Sequence, residues 1–140
     1  MRAVVLLLLL VPPSCCLLGI FGNQQAVGVM GKLLCNGKPA KGVKVKLYEK
    51  EMMFDRKLAQ GATDANGNFK LSGTAKEISK IDPQLNIYHK CNYKGLCYKK
   101  ISIGIPTEYI TKGKSANKYF DLGSMDLAMK LKGQTTDCFN

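Results

Sequence analysis

Apolar and polar residues alternate along much of the chain, and a period of two residues is typical of β-strands. In the clearest segment, residues 43–48, one face carries Val43, Val45 and Leu47 and the other carries Lys44, Lys46 and Tyr48. Residues 27–35 alternate in the same way, with one face formed by Val27, Val29, Gly31, Leu33 and Cys35. After residue 22 no segment shows a helical stripe. The pattern therefore predicts an all-β domain with half-buried antiparallel strands.

Residues that favour turns separate the next predicted elements. A short, weak strand over residues 58–63 is followed by a strand that begins with Phe69 and Leu71. Asn66-Gly67 between them predicts a tight hairpin turn, because these residues supply the positive φ angles that such a turn requires. Residues 72–83 are polar, so we expect a loop there with at most one helical turn.

The second half of the chain continues the strand pattern. A strand with Leu85 and Ile87 leads into the five-residue hairpin loop 92–96, and the returning strand opens at Cys97. The last apolar run changes phase at Gly123-Ser124, which predicts a bulge; Phe120 and Leu122 precede it, and Met125, Leu127, Met129 and Leu131 follow it. About seven or eight short strands with regular turns predict a β-sandwich.

The segment Asp-Ala-Asn-Gly-Asn at residues 64–68 places oxygen-bearing side chains at alternate positions, as calcium loops do. An EF-hand loop that begins at Asp64 needs glycine at its sixth position and glutamate at its twelfth. Those positions hold Phe69 and Ala75. We therefore expect the Asp64 carboxylate to accept backbone N–H groups within a turn, and we predict no metal site.

The first residues have the layout of a secretory signal peptide. Arg2 supplies a positive start, residues 3–11 form an unbroken apolar run, and Pro12-Pro13 ends it. The run is about half of the roughly 20 residues that a membrane-spanning helix needs. We therefore expect an exported, extracellular protein with no transmembrane segment.

Two cleavage sites fit the end of this peptide. Cleavage after Gly22 fits best, and cleavage after Cys16 is a shorter alternative. We predict a signal peptide over residues 1–22 and a single domain over residues 23–140, which is long enough for one core.

Either cleavage removes two of the six cysteines and leaves four: Cys35, Cys91, Cys97 and Cys138. An even number of cysteines in a small secreted domain predicts two disulfides, for which three pairings are possible. Zinc is the weaker alternative, because the chain has no Cys-x-x-Cys pair and His89 is its only histidine.

The domain is strongly basic. Of the 21 basic residues only Arg2 lies in the predicted signal peptide, which leaves 20 against 10 acidic residues, a net charge of +10. All of these bases except Arg56 are lysines. Such a charge favours anionic partners, for example lipid headgroups, glycosaminoglycans or acidic proteins. The alternative is that the lysines keep the strands soluble and protect sheet edges.

A series of spaced motifs runs through the domain: Val27–Cys35, Gly37–Pro39, Val43–Glu49, Thr63-Asp64 with Gly67 and Phe69, Ile87–His89 with Cys91 and Cys97, Ile105-Pro106, Phe120–Gly123 and Cys138. Together they resemble the nematode transthyretin-like secreted protein family. The resemblance implies a transthyretin-like (prealbumin-like) Greek-key β-sandwich that is disulfide-bonded and exported. It does not imply hormone transport.

The resemblance also implies a disulfide pairing. Cys91 and Cys97 flank one hairpin loop, close enough for a bond. In a sandwich of this kind we expect the first and last strands to lie close together, which brings Cys35 near Cys138. The expected pairs are therefore Cys91–Cys97 and Cys35–Cys138.

An enzymatic role is not expected. The related transthyretin-like hydrolases that act on 5-hydroxyisourate carry several histidines and an arginine and end in Tyr-Arg-Gly-Ser/Thr. This chain has one histidine and ends in residues 135–140, Thr-Thr-Asp-Cys-Phe-Asn. A lone histidine in a strand is more often packed than catalytic, and the sequence contains no phosphate-binding glycine loop. We expect no catalytic residue and no cofactor.

The leading hypothesis is an extracellular or cell-surface adaptor that recognises an anionic surface, such as acidic phospholipid, through a lysine-rich face. Residues 88–118 contain seven lysines and one acidic residue, Glu108. The candidate binding residues are Lys90, Tyr93, Lys94, Lys99, Lys100, Lys112 and Lys114.

Two alternatives belong to other classes. One is a carrier of a small apolar ligand, with Met52, Met53, Met125 and Met129 as candidate lining residues. The other is a signalling ligand that contacts a receptor through its loops. Nucleic acid is not an expected partner, because the chain carries an export signal and its aromatic residues form no stacking platform. The sequence does not determine the oligomeric state.

Overall fold

Two five-stranded sheets enclose an apolar core. The computed structural model describes residues 22–51 and 55–140, so the predicted signal peptide, apart from Gly22, lies outside the described residues. The strands are β1 (Asn23–Cys35), β2 (Lys38–Pro39), β3 (Lys44–Lys50), β4 (Asp55–Ala62), β5 (Asn68–Glu77), β6 (Pro83–His89), β7 (Tyr98–Gly104), β8 (Thr111–Lys112), β9 (Tyr119–Asp126) and β10 (Thr135–Asp137). A 3₁₀ turn at Thr107–Tyr109 lies between β7 and β8.

The first sheet is built around β1, which has partners along both sides. On one side β5 pairs antiparallel with residues 23–32 of β1, and β2 pairs with Leu34 and Cys35. On the other side β8 pairs antiparallel with residues 25–26, and β9 runs parallel to residues 28–34. The backbone N–H and C=O groups of β1 are therefore used on both sides along nearly its whole length, as buried backbone requires.

The second sheet has the strand order β10-β7-β6-β3-β4, and all of its pairs are antiparallel. The hairpin between β6 and β7 was predicted and is confirmed, with His89 opposite Lys99 at its loop end. The weak strand predicted over residues 58–63 is also present, as part of β4.

The core consists of the inward faces that the alternation predicted. The first sheet contributes Val27, Val29 and Leu33, and the second contributes Val45, Leu47, Leu85 and Ile87, all with no exposed surface. Burying each of these side chains stabilises the fold by about 1.5–3 kcal/mol before the loss of chain entropy is counted. The predicted β-sandwich is confirmed.

The predicted bulge in the last long strand is also confirmed. Along β9 the pairing with β1 jumps from Asp121 opposite Met30 to Ser124 opposite Lys32. Two residues of β9 therefore lie opposite Gly31, and one of them, Gly123, has a φ of 73°. A positive φ at the extra residue is the usual reason for glycine in a bulge.

The predicted continuation of that strand to Leu131 is wrong, because β9 ends at Asp126. The Asp126 carboxylate accepts the N–H groups of Asn36, Gly37 and Ala128 at 3.1, 2.8 and 2.9 Å, which fixes the end of β9 to the turn that follows β1. Met129 beyond the turn is 57% exposed. The chain then crosses to the second sheet and adds β10, a strand that the sequence did not predict.

The loop expected over residues 72–83 is replaced by strand as far as Glu77. After Leu71 the outward residues of β5 are polar and face solvent, while its inward residues are small. Ala75 is buried, and Gly73 lies so close to β4 that an added Cβ would stand 2.9 Å from the Leu58 carbonyl oxygen. Small residues on the inward face contribute little to a hydrophobic pattern, so the alternation predicted too short a strand.

The Asn66-Gly67 turn is present, but the predicted hairpin is wrong. β4 belongs to the second sheet and β5 to the first, so the turn joins the two sheets. Asp64 Oδ1 accepts the backbone N–H groups of Asn66 and Asn68, both at 2.9 Å, which confirms its predicted role inside the turn. The Gly67 carbonyl oxygen also accepts the Leu33 N–H at 2.8 Å, which fixes the turn to β1.

Gly67→Ala should destabilise the protein by about 3 kcal/mol, because the left-handed φ of 81° penalises a side chain and the new Cβ would overlap the Leu33 carbonyl oxygen. Gly37→Ala is the matched control. It has the same φ of 81° with no atom within 4 Å of an added Cβ, so we expect a loss of only about 1–2 kcal/mol. Urea unfolding of both variants measures the difference, and equal losses would contradict the close approach of the turn to β1.

Candidate binding surface

The loop between β6 and β7, residues 90–97, lies at the end of the sandwich where β1 finishes. A disulfide joins Cys91 in this loop to Cys35 at the end of β1, with a Cα–Cα distance of 5.8 Å. Beside it the Asn36 and Asn92 side-chain amides exchange two hydrogen bonds of 2.8 and 2.9 Å. The loop is therefore fixed to the first sheet although both of its strands belong to the second.

The second disulfide joins Cys97 to Cys138, with a Cα–Cα distance of 4.5 Å. All four predicted cysteines form disulfides, but the expected pairs Cys91–Cys97 and Cys35–Cys138 are wrong. The reason is the unpredicted strand β10, which pairs antiparallel with β7 and sets Asp137 opposite Tyr98. Cys138 therefore arrives beside Cys97 on the second sheet, and Cys35 is left to pair with Cys91.

Two apolar side chains project into solvent beside the Cys97–Cys138 bond. Leu96 is 96% exposed and Phe139 is 98% exposed. Each adjoins one of the two bonded cysteines, so their Cα atoms are at most about 12 Å apart, which is the 4.5 Å of the disulfide plus two steps of about 3.8 Å. The Phe139 N–H donates to Asp137 Oδ1 at 2.8 Å, so the backbone that carries this ring is fixed.

Three of the predicted lysines lie in this loop or at the start of β7. Lys90 Nζ lies 4.8 Å from the centre of the Tyr98 ring and 3.4 Å from the Leu96 carbonyl oxygen. Lys99 Nζ lies 4.7 Å from the centre of the Tyr93 ring, and Lys94 is exposed at the loop itself. Lys90, Tyr93, Lys94, Leu96, Lys99 and Phe139 together are called the tip surface below.

The remaining predicted residues lie elsewhere. Lys100 is half-buried and 3.7 Å from the Asp137 carboxylate, so its charge is partly compensated. Lys112 pairs with Gln25 in β1. Gln25 lies ten residues before Cys35 in the same strand. At about 3.3 Å per residue, Lys112 is therefore roughly 30 Å from the tip surface. Lys114 follows it in the chain. The seven predicted positions therefore do not form one surface.

Sequence reasoning missed Phe139. Its only signal was an aromatic residue directly after the last cysteine, and its position next to Leu96 depends on a disulfide that was paired differently.

His89 is packed inside the second sheet, as predicted. It is 3% exposed, its Nδ1 accepts the Cys91 N–H at 3.0 Å, and its Nε2 lies 3.1 Å from Gln134 Oε1. Because Nδ1 accepts, the proton is on Nε2 and is donated to Gln134. Burial lowers the pKa of His89; the bond to Gln134 acts in the opposite direction, and the nearby charge of Lys99 lowers the pKa further.

The methionines considered for an apolar ligand are not gathered around a cavity in the described residues. Met125 packs against the core, Met129 is exposed, and Met52 and Met53 lie outside the described residues. Two surface depressions of about 490 and 280 Å³ are lined by other residues. The described residues therefore give the carrier hypothesis no support.

Peptide mapping without reduction should recover Cys35 linked to Cys91 and Cys97 linked to Cys138. The bonds close segments of 56 and 41 residues, so removing either pair by substitution with serine should cost about 4 kcal/mol of unfolding free energy in the chain-entropy model. Recovery of a Cys91–Cys97 peptide would contradict the arrangement of β10.

The buried neutral His89 should make the fold sensitive to acid. Its pKa in the folded state lies below the ordinary value of 6.5, so its contribution to stability is present above that value and is lost as the pH falls toward the folded pKa. His89→Asn retains an acceptor for the Cys91 N–H and removes the titration. Between about pH 8 and pH 5 the unfolding free energy of the wild type should fall more than that of His89→Asn. Parallel losses would show that His89 is not the titrating group.

Known proteins with similar sequences identify the family of this chain. A model of the transthyretin-like family matches residues 30–106. Transthyretin-like protein 5 of Caenorhabditis elegans is 46% identical over 125 residues, which cover 86% of this chain and 89% of that protein. Transthyretin-like protein 2 of the same organism is 40% identical over 132 residues, with 88% of each chain covered. Transthyretin-like protein 33 is 36% identical over 120 residues, with 83% of each covered. The chain belongs to the transthyretin-like family.

Proposed function

We propose that this protein is a secreted, non-enzymatic adaptor that binds anionic phospholipid surfaces through the tip surface. The observation that carries the proposal is the juxtaposition of two almost fully exposed apolar side chains, Leu96 and Phe139, with Lys90, Lys94 and Lys99. Peripheral membrane proteins combine these two kinds of contact, because neither alone holds a soluble domain firmly on a bilayer.

The magnitudes fit a reversible attachment. A lysine close to an anionic bilayer contributes about 1 kcal/mol, and burying Leu96 and Phe139 in the interface contributes about 1.5–3 kcal/mol each. Three lysines and two anchors therefore give roughly 6–9 kcal/mol before the loss of translational and rotational freedom on binding is subtracted. The apolar anchors supply about half to two-thirds of this sum, so binding should weaken with salt without disappearing.

The disulfides reduce the cost of binding. Cys97–Cys138 holds the segments of Leu96 and Phe139 together, and Cys35–Cys91 fixes the loop to β1. Lys99 and Lys90 lie over tyrosine rings, which restricts their side chains without neutralising their charge. Because the groups are already positioned, less conformational entropy is lost when they meet a surface.

The non-enzymatic part of the proposal is supported by His89. It is the only histidine of the chain, and both of its ring nitrogens are engaged in internal hydrogen bonds. A buried and fully bonded imidazole is not positioned to act as a general base on an external substrate.

The extracellular location is supported by the predicted signal peptide and by the two disulfides, since such bonds form and persist in oxidising compartments. Within residues 22–51 and 55–140 no helix has the length and apolar character that crossing a bilayer would require. Any membrane contact of the described domain is therefore proposed to occur at the surface.

Co-sedimentation with liposomes tests the proposal. The wild type should sediment with vesicles that contain phosphatidylserine and much less with neutral phosphatidylcholine vesicles, with reduced binding at high salt. Lys90→Gln combined with Lys94→Gln should weaken binding by about 30-fold, which corresponds to two lysines at about 1 kcal/mol each. Leu96→Ala combined with Phe139→Ala should weaken it by at least about 100-fold, which corresponds to about 3 kcal/mol for the two anchors.

Lys112→Gln combined with Lys114→Gln is the matched control, because it removes the same charge from a position roughly 30 Å away and should bind like the wild type. Equal binding to neutral vesicles, or no binding to either kind, would exclude the proposal. If both double lysine variants lost the same amount of liposome binding, net charge alone would account for binding, and the tip surface would not be the site. Binding to a receptor but to neither vesicle would favour the signalling alternative.

A further inference from the structure

Three carboxylates converge at the edge of the sandwich where the two sheets meet. Glu49 lies near the end of β3 in the second sheet, Glu51 follows that strand, and Glu77 is the last residue of β5 in the first sheet. One oxygen from each lies within 4.8 Å of the others. Glu49 is opposite Pro83 at the start of β6, while the tip surface follows the end of β6, so the two regions are roughly 20 Å apart.

Each of the three carboxylates has a buried oxygen without a hydrogen-bond partner. Glu49 is only 3% exposed. Glu49 Oε2, Glu51 Oε1 and Glu77 Oε1 are buried and have no hydrogen-bond donor among the described residues. A buried carboxylate oxygen without a donor is costly, so the buried Glu49 Oε2, in a cluster with two further carboxylates, indicates a site for a cation.

Arg56 only partly meets this need. Its Nη2 lies 2.9 Å from Glu51 Oε1 and 3.1 Å from Glu77 Oε1. These distances are those of ion pairs, and neither oxygen has a hydrogen-bond partner among the described residues, so we treat the contacts as charge attraction only. One guanidinium also leaves the ionised cluster with an excess of two negative charges. The Arg56 side chain is 44% exposed and can move into solvent.

We propose that Glu49, Glu51 and Glu77 form a binding site for a calcium ion. Calcium is a hard cation that takes carboxylate oxygens in flexible, mono- or bidentate geometry. Glu49 and Glu51 lie two residues apart at the end of β3 and just after it, and Glu77 comes from β5. Such an irregular set of ligands suits calcium better than the near-ideal octahedron that magnesium demands. The described site offers no histidine or cysteine, the ligands that favour zinc. Arg56 swings outward when the ion binds.

The site links the two sheets, because it joins Glu77 of β5 to Glu49 of β3. Calcium should therefore stabilise the folded sandwich. With three protein side chains and water completing the shell, the affinity expected is that of extracellular calcium modules, with a dissociation constant of about 0.1–1 mM. This site is separate from the tip surface, and the proposal does not depend on lipid binding.

Thermal unfolding and titration calorimetry of the mature, metal-stripped protein test the site. About 10 mM calcium chloride should raise the unfolding midpoint by about 5 °C relative to sodium chloride of equal ionic strength, and magnesium should raise it less. Glu49→Gln combined with Glu77→Gln should abolish both the shift and the binding heat. These isosteric changes preserve packing, and circular dichroism and the midpoint without calcium verify that the variant is folded.

Two control variants should keep the response to calcium, and a third variant should bind calcium more tightly. Glu108→Gln removes an exposed carboxylate outside the cluster, and Asp64→Asn alters the Asp-Ala-Asn-Gly-Asn turn; both should retain the calcium shift. Arg56→Gln removes the competing cation and should tighten calcium binding at least threefold. No shift in the wild type, an unchanged shift in the double glutamine variant, weaker binding by Arg56→Gln, or an equal shift with magnesium would overturn the calcium assignment.

Discussion

The structure depends on the pairing of β1 with neighbours on both of its sides. β5 and β2 occupy one side and β8 and β9 the other, while Val27, Val29 and Leu33 project from the same strand into the centre of the core. A strand that is hydrogen-bonded on both sides and apolar on one face can be displaced only by breaking backbone bonds and core contacts together. The turn at Gly67 and the disulfide at Cys35 are also fixed to the last residues of this strand, so the loops at that end of the sandwich take their positions from it.

The tip surface shows how a rigid scaffold leaves unusual side chains exposed. Leu96 and Phe139 would gain free energy by burial, yet the disulfide beside them and the hydrogen bond from the Phe139 N–H hold their backbones where the core cannot be reached. Two large apolar groups kept in water next to lysines are the features on which the proposed binding to an apolar and anionic surface rests. The carboxylate cluster at the other end of β6 has the opposite character, because there the unsatisfied groups are anionic and buried.

Most of the fold could be predicted from period-two patterning, because burial on one face of a sheet leaves a direct trace in the sequence. Val45 and Leu47 lie inside as expected, and the phase change at Gly123-Ser124 marks a real bulge. The errors occur where that trace is weak. β5 has small inward residues such as Gly73 and Ala75, and the alternation of Met129 and Leu131 is overridden by a turn that the Asp126 carboxylate holds through three backbone N–H groups.

The sequence by itself determined the β-sandwich, the four bonded cysteines and the role of Asp64, since each of these follows from local pattern, residue type or spacing. Only the tertiary structure decided which cysteines pair, because that depends on the sheet that the final segment joins, and β10 is a three-residue strand with almost no pattern of its own. The same holds for Leu96 with Phe139 and for Glu49 with Glu77, which are separated along the chain and brought together by the packing of two sheets. Contacts between distant segments are set by the sum of many weak interactions, and no short stretch of sequence contains that sum.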